Sequence, residues 1–124
     1  MTRLWLPFPP SVNNLFVNNP RTGGRFPSSR YKAWQADALE ALLKQPDRFH
    51  RHVEPVEVLY AFGRPDKRAR DVFNLEKVVS DFLVKRAILA DDSLIHRGTV
   101  EWGHTPGVTV TIEPLSASNL VNYP

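Results

Sequence analysis

Cysteine is absent from the 124 residues, which excludes a disulfide framework and any thiolate metal site. No apolar run approaches the roughly 18 residues that a membrane span requires. The first residues lack the charged-then-apolar pattern of a secretory signal, so a reducing cytoplasm is the expected location. A P-loop, a Gly-rich dinucleotide fingerprint and a recognisable Ser-His-Asp triad signature are also missing. The usual marks of nucleotide binding and of triad hydrolysis are therefore not available to explain this chain.

What is present suits one domain spanning residues 1–124, with enough chain to bury one core. The hydrophobic fraction of 42% and charged fraction of 23% are ordinary for a globular protein. Proline is high at 11, so substantial irregular structure is expected. The net charge is +3, and its placement matters more than its size. Arg21, Arg25, Arg30 and Lys32 fall in one segment, and Arg64, Lys67, Arg68 and Arg70 in another. Two cationic loops on a small domain can flank a phosphate backbone, or they can be solvated loops without a partner.

Residues 3–8 read as a short strand that Pro7 confines to an edge or a strand end. Residues 9–14 read as a turn, and residues 15–27, with Pro20 and Gly23-Gly24, as a loose loop. Ser28 or Ser29 can cap a helix running to about Lys44, with an apolar stripe of Tyr31, Trp34, Ala38, Ala41 and Leu42. Pro46 ends it. Residues 53–62 alternate as a strand, with Val56, Val58 and Tyr60 on one face. A second helix is expected from near Asp71 to about Arg86, its stripe formed by Leu75, Val78, Val79, Phe82 and Leu83. Asp91-Asp92-Ser93 reads as a turn. Residues 94–102 and 108–112 read as two strands joined as a hairpin, and the tail from about 114 to 124 as loose. The expected class is α/β in the broad sense (α+β): a small mixed sheet with two main helices.

The stretch from Arg64 to Ser93 concentrates the chemistry. Basic residues lead to Asp71, an amphipathic helix follows, and Asp91-Asp92 closes it. Hard divalent cations take oxygen ligands, and Mg²⁺ uses one or two carboxylates while keeping waters for a phosphate. Such an ion polarises a phosphodiester and generates hydroxide. The competing reading makes Asp71 a helix cap and Asp91-Asp92 an Asx turn. Lys77 falls opposite the apolar stripe, where it either steadies charge developing on a phosphate oxygen or is a solvated helix lysine. Phe73 is anomalous. At about 100° per residue it falls nearly opposite Leu75, Val79 and Phe82, so it packs on a partner, stacks on a base, marks a replaced polar residue, or turns inward at an irregular helix start. His50 and His52 read as loop decoration rather than a zinc pair, and Tyr31 and Trp34 as core.

These residues resemble the RusA family of Holliday junction resolvases, small endonucleases common in prophage. The likeness covers most of the chain. It rests on Leu6-Pro7-Phe8-Pro9-Pro10-Ser11 with Asn13-Asn14, on the run from Pro65 to Asp71, and on Asn74-Leu75, Lys77, Asp81 and Asp91-Asp92. The resemblance implies a homodimer that binds four-way DNA junctions and nicks opposing strands with Mg²⁺, Mn²⁺ being an alternative ion. It implies metal ligands at Asp71 and Asp92 with Asp91 adjacent, and an essential lysine at Lys77. It implies DNA contacts from Arg70, and the motif and the cationic loops add Arg68, Lys67, Arg64, Arg25, Asn13 and Asn14 as candidates. The family pattern reads Asp-x-Asp-Asn, whereas this chain reads Asp71-Val72-Phe73-Asn74. Losing a carboxylate removes both a ligand and a negative charge, so weakened catalysis is expected. The readings to separate are thus a junction endonuclease, a non-catalytic binder of branched DNA, and a protein-interaction domain with incidental basic loops.

Overall fold

A computed structural model describes residues 1–115. Strand β1 (Thr2–Leu6) leads through a 3₁₀ turn (Val12–Asn14) into two short strands, β2 (Phe16–Asn18) and β3 (Arg25–Pro27). Helix α1 (Ser29–Leu43), a 3₁₀ turn (Pro46–Phe49), strand β4 (Val56–Gly63) and a 3₁₀ turn (Val72–Asn74) follow. Helix α2 (Glu76–Lys85), a last 3₁₀ turn (Asp92–Leu94), strand β5 (Ile95–Gly103) and strand β6 (Gly107–Pro114) complete the order. The expected mixed sheet with two main helices is what the chain forms. Most of the expected loose tail lies outside the described residues, although β6 runs on to Pro114 and Leu115 is buried.

The main sheet has the order β1-β6-β4-β5, with β4 and β5 parallel and the other two pairings antiparallel. This corrects the expected hairpin: β5 and β6 follow each other in sequence but lie on opposite sides of β4. Their connection therefore has to pass over the end of β4. Gly63 makes room for it, since a Cβ at that position would lie 1.9 Å from the Thr105 carbonyl oxygen. Alternation then decides the core. Leu4, Leu6, Val56, Val58, Tyr60, Phe62, Val108, Val110 and Ile112 are buried on one face of the sheet. Trp34, Ala38 and Leu42 of α1, and Val78, Val79, Phe82 and Leu83 of α2, complete that core as their spacing predicts.

Three local features depart from expectation. Residues 15–27 form a small antiparallel hairpin rather than a loose loop. Helix α2 starts five residues late, because Asp71 accepts from the Phe73 amide at 3.0 Å and caps a 3₁₀ turn instead of the helix itself. His50 and His52 are not decoration: His50 Nδ1 and His52 Nε2 each lie 2.7 Å from the buried Thr2 hydroxyl. A hydroxyl has one proton and two lone pairs, so it can satisfy both rings at once. The His52 backbone also bonds to Ile88 and Ala90. That segment thus ties the start of β1 to the loop after α2, and burial lowers the His52 pKa from its ordinary value.

Candidate active site and nucleic-acid interface

The N-terminal Pro-Pro-Ser-x-Asn segment and the basic loop meet across an open cleft of about 730 Å³. One wall is formed by Phe8, Pro9, Pro10, Ser11 and Asn14, the second by Arg30, Ala33, Trp34 and Asp37 of α1, and the third by residues 65–66, 68–71 and 74–75. Local chemistry builds each wall. Buried Pro9 and Pro10 lack a backbone N–H and cannot extend β1, so the chain turns across the start of α1. Trp34 Nε1 donates to the Pro7 carbonyl at 2.9 Å and fixes that crossing. Ser28 caps α1 by accepting from the Tyr31 amide at 3.1 Å. The capped helix sets Arg30 in its first turn, beside the cleft.

The basic loop is held by one acid. Asp66 accepts from the Arg68 amide at 2.9 Å and from its Nε at 3.2 Å, and it also binds both terminal nitrogens of Arg70. The hydrogen bonds from Arg70 hold the Asp66 carboxyl well below the usual carboxylate range. Arg70 also lies over the Phe8 ring and Arg64 over the Trp102 ring, while Phe8 and Trp102 stack on each other. The guanidinium groups therefore have fixed positions around an aromatic pillar. Lys67 is exposed and lines no part of the cleft, and neither does Asn13. Arg25 lies over Phe16 in the hairpin.

The acidic positions divide. Asp71 lines the cleft with one carboxylate oxygen bonded to the Phe73 amide. Asp91, Asp92 and Lys77 do not line it. Asp91 accepts from both the amide and the hydroxyl of Ser93, which lowers its pKa and commits it to capping the turn before β5. Asp92 is exposed, and its side chain bonds to none of the described residues. Lys77 pairs with Asp81 at 3.5 Å on the solvent side of α2. Both acidic turns border β5: Val72–Asn74 packs against that strand, and Asp92–Leu94 leads directly into it and packs on α2. Among the described residues, no three His, Asp or Glu side chains gather as a metal-holding group.

Phe73 is 74% exposed. The late start of α2 does not turn it inward; it projects from the 3₁₀ turn that Asp71 caps. The nearby Glu76 is engaged elsewhere, since Ser80 bridges it to the buried Tyr60 hydroxyl. Burial raises the Tyr60 pKa and keeps the phenol neutral. Arg30 is the cleft residue that sequence reasoning left out of the candidate contacts. The signal was there: a basic residue in the first turn of a predicted helix, within the first cationic segment.

The family model for endodeoxyribonuclease RusA matches residues 7–113. No curated protein matches the chain. The matched span takes in the motif residues from Pro7 on, the basic loop, both acidic turns and the core apart from Leu4 and Leu6 of β1. No helix among the described residues is long and apolar enough to cross a membrane. On the family match, with the cleft built from the residues that carry the likeness, the chain belongs to the RusA family of endodeoxyribonucleases, the Holliday junction resolvases.

Proposed function

We propose that the protein is a dimeric, Mg²⁺-dependent endonuclease of four-way DNA junctions, with catalysis weakened at position 73. The observation that carries this reading is the cleft itself. It gathers Arg30, Arg68 and Arg70 around Asp71 beside the motif residues Pro9, Pro10, Ser11 and Asn14. Cations near one another in an open cleft favour a phosphate backbone over a small neutral ligand.

The donors fit a hard cation in kind and are few in number. Asp71 keeps one carboxylate oxygen free of the capping bond, and exposed Asp92 is uncommitted. Both would hold Mg²⁺ (or Mn²⁺), with Asp91 contributing only by giving up its bonds to Ser93. The ion supplies polarisation of the phosphodiester and a hydroxide at neutral pH. The chain's own residues would do the rest. Arg68 and Arg70 orient the backbone from positions fixed by Asp66. Lys77 exchanges Asp81 for a phosphate oxygen as negative charge builds there. Phe73 supplies no ligand, so the ion would be held by fewer charges than the family pattern allows.

The test measures binding and nicking of a synthetic four-way junction, with linear duplex as competitor and with Mg²⁺, Mn²⁺ or chelator. Preference for the junction with metal-dependent paired nicks is expected, with sedimentation giving two chains per junction. Equal affinity for junction and duplex would remove the binding half of the reading. A second reading, non-catalytic binding, is favoured by the exposure of Phe73. In that case Phe73→Ala lowers junction affinity, and metal changes neither binding nor the DNA.

A further inference from the structure

The hairpin of β2 and β3 is bound to the rim of the cleft and turns one of its faces away from α1. Its register sets Val17 opposite Phe26, with Phe16 opposite Pro27 and Asn18 opposite Arg25 on either side. Side chains alternate across a strand pair, so Val17 and Phe26 share one face while Phe16 and Arg25 lie on the other. The second face is used: Phe16 meets the Tyr31 ring of α1 edge-on at 5.9 Å, and Arg25 lies over Phe16 at 5.1 Å. The first face has no ring or cation contact among the described residues: Val17 is 44% and Phe26 43% exposed, as much as Phe16.

The mounting is firm. Ser28 donates from its amide to the Leu15 carbonyl at 2.8 Å and from its hydroxyl to the Asn14 carbonyl at 2.7 Å. Leu15 is buried. At the tip, Asn19 and Gly24 close the turn through a 2.7 Å backbone bond, with Gly23 at φ 72°. The two ends of the hairpin are flanked by Asn14 and Arg30, and both line the cleft.

Charge decides what this apolar pair faces. The first 36 residues contain Arg3, Arg21, Arg25, Arg30 and Lys32 and not one Asp or Glu. A polyanion is drawn to that segment. A two-stranded ribbon is also narrow enough to enter a DNA groove, and apolar side chains that wedge between base steps pay an unstacking cost that a step already open does not carry. In continuous duplex every base face is covered, so Val17 and Phe26 would gain little. At a branch, base faces are open.

We propose that the β2–β3 hairpin is a branch-sensing ribbon. Its Val17–Phe26 pair packs on bases exposed where the DNA stack is interrupted, while Arg21 near the hairpin tip holds an adjoining phosphate. This rests on the junction reading above and adds a source of structure selectivity separate from the cleft.

The experiment uses the full chain and a four-way junction carrying 2-aminopurine beside the branch point, with linear duplex of the same sequence as competitor. In the Val17→Ser, Phe26→Ser double variant, junction affinity should fall on the order of tenfold, as loss of a base-stacking contact does. Duplex affinity should change less than about twofold. The change in 2-aminopurine fluorescence on binding should disappear, and Phe26→Trp should keep it. A double variant that binds the junction with wild-type preference overturns the proposal, as does an equal loss on junction and duplex. If the variant instead loses self-association in sedimentation, the face belongs to a second copy and the proposal also fails. Should the double variant not fold, Phe26→Thr alone, a β-prone residue at a solvent position, carries the same comparison. A wild-type protein without junction preference would strike the underlying reading; preference kept by the variant strikes only the ribbon.

Discussion

Residues 21–32 carry Arg21, Arg25, Arg30 and Lys32 with no acid among them, whereas residues 64–71 set Arg64, Lys67, Arg68 and Arg70 against Asp66 and Asp71. Both segments border the same cleft. The first is a source of uncompensated charge: Arg30 stands in the first turn of α1 with no ion pair among the described residues. In the second, Asp66 ties down two of the four cations, and two others lie over aromatic rings or free in solvent. The difference suggests a division of labour. Free charge draws DNA in from a distance and is screened by salt. Restrained charge fixes where a phosphate sits, because little side-chain freedom is lost on contact.

The largest effect should come from the acid within the restrained segment. Asp71→Asn keeps the cap, since an amide oxygen can still accept from the Phe73 N–H, but removes the charge a metal needs. Metal-dependent nicking should fall by on the order of 100-fold while junction affinity holds or rises. Equal loss of binding and nicking would make Asp71 a structural residue only. Phe73→Asp should act in the opposite direction, raising nicking about tenfold or more by restoring the missing carboxylate. If neither wild type nor Phe73→Asp cuts, the metal assignment fails.

A smaller and more diagnostic effect separates the two segments. Arg30→Ala should weaken junction and duplex binding alike and reduce the slope of log affinity against log salt by about one. Arg70→Ala should lower nicking more than binding, because it removes a positioned contact. Asp66→Asn sharpens the same point. It frees two guanidinium groups, so duplex affinity should rise a few-fold at low salt while junction preference declines. Should Arg30→Ala and Arg70→Ala behave identically across a salt titration, the proposed division does not exist.

The smallest effect belongs to neither segment and serves as a stability control. Ala87 follows α2 at φ 63°, the left-handed region that favours glycine. Its amide and those of Ile88 and Leu89 close the helix end on Val84 and Leu83. Ala87→Gly should relieve strain and stabilise the fold by about 0.5–1 kcal/mol in urea unfolding, with unchanged DNA binding. A lower midpoint would mean that the Ala87 side chain makes contacts worth more than the strain.

Much of this architecture could be read from residue order. The 3.6-residue stripe of Leu75, Val78, Val79, Phe82 and Leu83 and the alternation of Val56, Val58 and Tyr60 foretold both faces of the core. They did so because burial is a local periodic signal. Strand order was not legible. Inserting β6 between β1 and β4 depends on pairing Leu4 with Val110 and Tyr60 with Val110 across long separations, and only the room at Gly63 permits the crossing. The Thr2–His50–His52 cluster was hidden for the same reason, its members being 48 and 50 residues apart. The hairpin was missed because its strands have three residues each, too short for alternation to register. At the site, the family motif picked out Asp71, Arg68, Arg70 and Asn14, which the fold gathers. Arg30 needed the fold to show which way the first turn of α1 faces.

The central claim is that DNA lies in the cleft between the start of α1 and the basic loop. The lack of natural cysteine allows a direct measurement: Ala33→Cys in the cleft wall and, separately, Thr111→Cys on the opposite face of the sheet. Each is labelled with a thiol-linked photocrosslinker and irradiated with a four-way junction at moderate salt. The account predicts strong DNA crosslinking from position 33 and little from position 111. Crosslinking that favours position 111, or that is equal from both, would contradict it.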